Sequence, residues 1–229
     1  MLKRNRFSVL LAMLVLLVIG APILELVEPQ GLPRFAQIVT AILFFSMMLS
    51  AVNAVAERRA TILIAGSLVG LIVLLWVVNH WVDNKWIAVV TEASGAAFLG
   101  FAIAVVFTYL FATDRVTWNT IAASLCIYLL MVILWSELYS IMALLDPSSF
   151  KLPPEHTAVG DVRQFGGQAS ATALYYSLVT MTTLGYGDIV PVSPPARTLA
   201  GIQAVTGQLY IAVLVARLVG LHIAHASRV

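Results

Sequence analysis

Long apolar runs alternate with short polar breaks along almost the whole chain. Six runs reach the about 20 residues that carry a helix across a bilayer, near 7–27, 35–55, 60–81, 86–112, 118–145 and 196–222. The first follows Lys3, Arg4 and Arg6, as a signal peptide would. Its apolar part exceeds the usual ~7–15 residues and no small-x-small cleavage site follows it cleanly, so it reads as a retained helix with a bend at Pro22. A seventh apolar run, SATALYYSLVTMTT, is too short to span. Ser170 is its natural N-cap, and it fits a re-entrant helix that stops partway into the membrane. The stretch before it, DPSSFKLPPEHTAVGDVRQFGG, is polar and rich in Pro and Gly, and reads as an exposed loop.

Composition agrees with this pattern. Of 229 residues, 61% are hydrophobic and 10% charged, against about 25% charged in soluble domains. The net charge of +2 gives no reason to expect nucleic acid as a partner. Cys126 is the one cysteine, so no intrachain disulfide forms, and its apolar setting suits a small core residue. No residues assemble a catalytic centre, and no enzyme activity or organic cofactor is expected.

Basic residues set the orientation. Lys3, Arg4 and Arg6, then Arg58 and Arg59, then Arg115 and Arg228 fall on one side if both termini are cytoplasmic. Glu28, Asp83, Asp146, Glu155, Asp161 and Asp188 then face outward.

After the short helix comes TMTTLGYGDIVP, Thr180–Pro191. Non-helical backbone at membrane depth needs protein or a water-filled cavity around it. Aiming successive carbonyls into such a cavity requires positive φ at intervals, which Gly185 and Gly187 allow at little cost. The C-terminal end of the half-helix turns its negative dipole end to the same place and favours a cation. One chain supplies one wall, so a ring needs several copies.

Thr183-Leu184-Gly185-Tyr186-Gly187-Asp188 resembles the selectivity filter of the potassium-channel pore-loop family, with Leu184 at the position usually held by Val or Ile. Leu174-Tyr175-Tyr176-Ser177 resembles the start of that family's pore helix, and Gly207 its inner-helix hinge. The resemblance covers residues 118–222; the first four helices match by count alone. It implies an all-α membrane protein with six transmembrane helices, a re-entrant pore helix and a filter loop, assembled as a homotetramer in a lipid bilayer. It divides the chain into a four-helix unit, 1–115, resembling a vestigial voltage sensor, and a pore unit, 116–229.

The implied function is passive conduction of potassium ions, which would be held by Thr183, Leu184, Gly185 and Tyr186. Gly187 and Asp188 would support the filter, and the implied location is a prokaryotic inner membrane. A nonselective cation channel and a potassium-transporter subunit are the alternatives. Where some members carry a pore-helix Glu, this chain has Val179; Tyr175 either hydrogen-bonds Asp188 or packs behind the filter. Glu137 either braces the back of the pore loop through backbone amides or is a hydrated interfacial carboxylate.

Gln208, Ile211, Val215 and Val219 share a helix face that in the family lines the cavity and inner gate; Arg217 lies off it and would snorkel to headgroups. Glu92 has no identified partner. His222 and His225 are too few for a metal site and suit the interface. Residues 86–112 hold no Lys or Arg, so a strong voltage sensor has no source there, and the short segment after the last helix leaves no room for a ligand-binding domain.

Overall fold

A computed structural model describes residues 6–26, 35–55, 59–82, 84–113, 117–152 and 170–226. Six long helices and one short one make up nearly all of it: α1 Arg6–Leu26, α2 Phe35–Val55, α3 Arg59–Trp81, α4 Lys85–Ala112, α5 Trp118–Leu145, α6 Ala171–Met181 and α7 Pro194–Ala226. In lipid only structures that satisfy their own backbone can span, so apolar runs of this length become helices. Five of them, α1, α3, α4, α5 and α7, are long and apolar enough to cross a membrane, whereas the apolar stretch of α2, Val39–Ala54, is shorter. The chain is an all-α integral membrane protein. Helix ends fall within four residues of the sequence expectation, the largest difference being the four extra residues at the end of α7. Pro22 lies inside α1.

The helices begin where side chains satisfy free amides. Asn84 Oδ1 accepts from Trp86 N at 2.9 Å to open α4. Thr117 and Thr120 cap α5 reciprocally, each hydroxyl accepting the other's backbone N–H. Asp146 ends α5 and opens a 3-10 turn, Pro147–Ser149. Its carboxylate accepts from Ser148 Oγ at 2.7 Å and Ser148 N at 3.0 Å. Those bonds, with lesser contributions from Ser149 and Lys85, hold the carboxyl below its ordinary range.

One apolar core runs without a break through α1, α2, α3, α4, α5 and the inner face of α6, across the boundary expected near residue 115. α1 docks directly on α5: Cys126 Sγ donates to Phe7 O, and Trp118 Nε1 to Ser8 Oγ. Cys126 is buried and free, as a core residue.

The stretch after α5 corrects the exposed-loop expectation at its start. Phe150–Lys151 (β1) pairs antiparallel with Val190–Pro191 (β2), in register Phe150 with Pro191 and Lys151 with Val190. Phe150 is buried against Tyr139 and Tyr176, because an aromatic ring beside the membrane surface gains more from that cluster than from water. Residues 153–169, the side chains of His222 and His225, and the basic residues Lys3, Arg4, Arg58, Arg115 and Arg228 lie outside the described residues.

Candidate functional site

The link between α6 and α7 is where the backbone departs from helix. Ser170 Oγ accepts from Ala173 N and starts α6. At its other end Thr182 N donates to Leu178 O, Thr183 N to Thr180 O and Leu184 N to Val179 O, and the chain then leaves the helix. Thr183, Gly185 and Gly187 have φ of 59°, 59° and 80°. Positive φ thus falls on alternate residues, with Leu184 and Tyr186 between them. Such alternation turns successive carbonyls toward one side of the strand, which an ordinary β-strand does not do. Thr183 is the one non-glycine among the described residues in this conformation, at a cost of about 1–3 kcal/mol, of the kind that persists when the surroundings over-determine it. The sequence pointed to the two glycines and not to Thr183. Its hydroxyl donates to Thr182 O at 2.7 Å and accepts from Gln208 Nε2 at 3.4 Å, so Gln208 of α7 reaches the inner end of the strand.

At the outer end Tyr175 Oη donates to Asp188 Oδ2 at 2.6 Å, so Tyr175 bonds the acid and does not merely pack behind it. Val179, at the position where some members of the resembled family carry a Glu, is buried. Beyond Asp188, the β1–β2 pair and the bond from Val192 N to Ser149 O at 2.7 Å tie the exit of the strand to the end of α5. Leu184 is 55% exposed and Tyr186 67%, so neither side chain is packed by its own chain.

A buried polar network, missed in the sequence, holds α6 from behind. Gln203 of α7 donates through Nε2 to Ser177 O at 2.9 Å and to Ser177 Oγ at 2.8 Å. Ser177 Oγ donates to Val132 O of α5 at 2.6 Å, and Tyr139 Oη of α5 donates to Gln203 Oε1. The available signal was the amide itself: Gln203 stands four residues before Gly207, hence on the same face, within the membrane-spanning part of the helix. Gly207 meets α6 at its end: a Cβ added there would lie 2.5 Å from Met181 O. Close approach to α6 is therefore a second demand on this glycine, beside the hinge that the resemblance implied, and α7 runs as one helix through it.

Two expectations are corrected. Glu137 does not face the pore loop. It lies about 150° around α5 from the Val132–Tyr139 face that holds α6, by helical period, and turns toward Gly95 and Glu92 of α4. Glu92 therefore has a neighbour, Glu137. Arg217 does not reach away to headgroups: its Nη2 donates to Thr113 O at 2.9 Å and its guanidinium lies 4.4 Å over the Phe111 ring. A free helix-end carbonyl and an aromatic face hold it at the end of α4. Ile211, Val215 and Val219 stand on the exposed side of α7.

Residues 121–222 match a family model described as Ion channel. A segment of 59 residues is 41% identical to the inward rectifier potassium channel Kirbac3.1 of Paramagnetospirillum magnetotacticum, covering 25% of this chain and 20% of that protein. A segment of 40 residues is 48% identical to the potassium voltage-gated channel protein Shal of Drosophila melanogaster, covering 18% and 7%. A segment of 45 residues is 47% identical to the two-pore potassium channel 1 of Arabidopsis thaliana, covering 20% and 12%. The chain spans a fifth or less of the length of these curated relatives. No solved structure matches. These matches, with the geometry above, make the segment from α5 to α7 similar to the pore segments of potassium channels.

Proposed function

We propose that the chain is one subunit of a potassium-selective channel that conducts passively through a ring of filter strands. The observation that carries this reading is the alternation of positive φ at Thr183, Gly185 and Gly187, which lines carbonyls along one side of a Thr-Leu-Gly-Tyr-Gly strand. Carbonyl rings of this kind replace an ion's hydration shell; the potassium filter is the standard instance of that principle. The carbonyls of Leu184, Gly185 and Tyr186 and the Thr183 oxygens hold the ions. Gly187, Asp188 and Tyr175 keep the strand in place.

One strand cannot enclose an ion, and four copies around an axis close the ring. The exposed Leu184 and Tyr186 side chains then pack on a neighbouring copy. Residues 116–229 form the pore unit, and 1–115 a helical unit beside it. Gln208 and Ile211 line the inner cavity, and Val215 and Val219 form its constriction. Both termini face the cytoplasm of a prokaryotic inner membrane, following the basic residues.

The test is cation flux from liposomes containing Gly185→Ala. A Cβ at Gly185 meets no heavy atom within 4 Å of its own chain, so within one subunit the penalty lies in the backbone. Left-handed φ costs a non-glycine roughly 1–2 kcal/mol per residue. A cost of about 1.4 kcal/mol is tenfold in an equilibrium, and four strands share the ion. Potassium preference over sodium is expected to fall by about tenfold or more. Parent-like preference in that variant would contradict the filter reading. Equal potassium and sodium flux in the parent would point to a nonselective channel.

A further inference from the structure

Away from the filter, α4 and α5 enclose two acids that conduction does not use. Glu92 is 2% exposed and Glu137 1%. Their side chains are close enough to interact. Gly95, one turn beyond Glu92 on the same face of α4, leaves the room: a Cβ built there would stand 3.5 Å from Glu137 Oε2. Glu92 Oε2 is sealed from solvent and accepts no hydrogen bond among the described residues. Three hydroxyls of these helices bond their own backbone: Thr91 Oγ1 to Ile87 O, Ser94 Oγ to Thr91 O and Ser136 Oγ to Ile133 O.

The side chains of Glu25 of α1 and His80 of α3 lie outside the described residues; the other charged groups of the surrounding elements have identifiable positions. Lys85 sits at the mouth of α4, its Nζ on Leu145 O at 3.1 Å, and Asp146 ends α5. Arg6 of α1 lies over the rings of Phe7 and Tyr109. Arg59 opens α3, at the end of that helix remote from the start of α4. α2 and α6 carry no charged residue; of the α6 tyrosines, Tyr175 bonds Asp188 and Tyr176 packs on Tyr139 and Phe150.

Two carboxylates in contact and shielded from water repel strongly. A single proton between them replaces that repulsion with a charge-assisted hydrogen bond. We propose that Glu92 and Glu137 form a proton-binding site that holds one proton in common, and that this proton fastens α4 to α5. When it leaves at alkaline pH, two like charges face each other across the α4–α5 contact. α5 also anchors the pore helix, through Val132 and Tyr139 on either side of Glu137 in sequence. The loosening of α4 is thereby passed to the scaffold of the filter. That last consequence rests on the channel reading; the proton site does not.

The experiment is infrared spectroscopy of the full-length protein in lipid, titrated from mildly acidic to alkaline pH, with potassium flux measured on the same samples. The parent is expected to show the carbonyl stretch of a protonated carboxylic acid at neutral pH, lost on the alkaline side. The double variant Glu92→Gln, Glu137→Gln is expected to lack it. Parent flux should change by about fivefold or more across the same pH range, and flux of the double variant should stay flat. The proposal is overturned if the parent shows no protonated-acid band at neutral pH, or if the band survives in a folded double variant. If the double variant does not fold, the parent titration alone decides. A parent band that titrates as stated, in samples that conduct nothing, upholds the proton site and removes the channel reading instead.

Discussion

At Gly207 the constraint is an oxygen. The Met181 carbonyl ends α6 and lies where a Cβ on residue 207 would stand, 2.5 Å away, closer than real contacts allow. The listener to any shift there is the strand that begins two residues later, at Thr183. Gly207→Ala is therefore expected to cost about 1–3 kcal/mol, the usual range for overpacking, and to lower the midpoint of thermal unfolding in detergent. A midpoint equal to the parent's would show that α7 moves away without cost. The glycine was legible in the sequence as a special position, but its reason was not, since the partner oxygen is 26 residues away along the chain. Thr183 teaches the same lesson from the other side. A threonine carries no sign in sequence that its φ is positive; the strand geometry imposes it. Tyr175 and Asp188 were legible as a pair because both stand at defined places on the motif, whereas Glu137 was misplaced because the motif says nothing about which way α5 is rotated.

At the scale of elements, apolar length alone located the long helices, because backbone in lipid has few alternatives to helix. The two-residue strands were invisible: Phe150–Lys151 lies among Pro and Ser, and its pairing with Val190–Pro191 depends on α5 and α7 bringing the ends together. The packing of α6 was equally hidden. α6 is only 11 residues long, short for a helix that must hold its place by propensity. It is held by Gln203, whose amide bonds Ser177 twice while taking the Tyr139 hydroxyl. Gln203→Leu keeps the bulk and removes every one of those bonds, leaving the Tyr139 hydroxyl buried without its acceptor. An orphaned buried polar group costs about 1–3 kcal/mol. The variant is expected to unfold at lower temperature than the parent and to show weaker potassium preference in liposome flux, because α6 leads into the proposed filter strand. Tyr139→Phe removes one bond of the same network and should cost less. Equal losses from the two variants would mean that Gln203 acts through its shape.

For the molecule as a whole, the proposed channel raises the question of what would move it between conducting and closed. α4 has the position of a voltage-sensing helix by count, yet its one basic residue, Lys85, is its first, and that amine is engaged by Leu145 O. Its one carboxyl, Glu92, is packed against α5. An elementary charge crossing the field is worth about 2.3 kcal/mol per 100 mV, and sensors carry several across. A tenfold change in open probability takes ~1.4 kcal/mol, the work of less than one whole charge. Because α4 has none to move across the membrane, open probability in planar bilayers is expected to change less than about tenfold over about 100 mV. Steep activation by voltage would place a sensor elsewhere in the chain. On the proposed reading the gate is the inner end of α7, where Val215 and Val219 stand on its exposed side and would meet their copies across the axis. Apolar constrictions close by expelling water. Val215→Asp and Val219→Asp are therefore each expected to raise basal current by keeping that passage wet. If both variants assemble and conduct as the parent does, the valines are not the gate, and the strand from Thr183 to Asp188 is the place where current is switched.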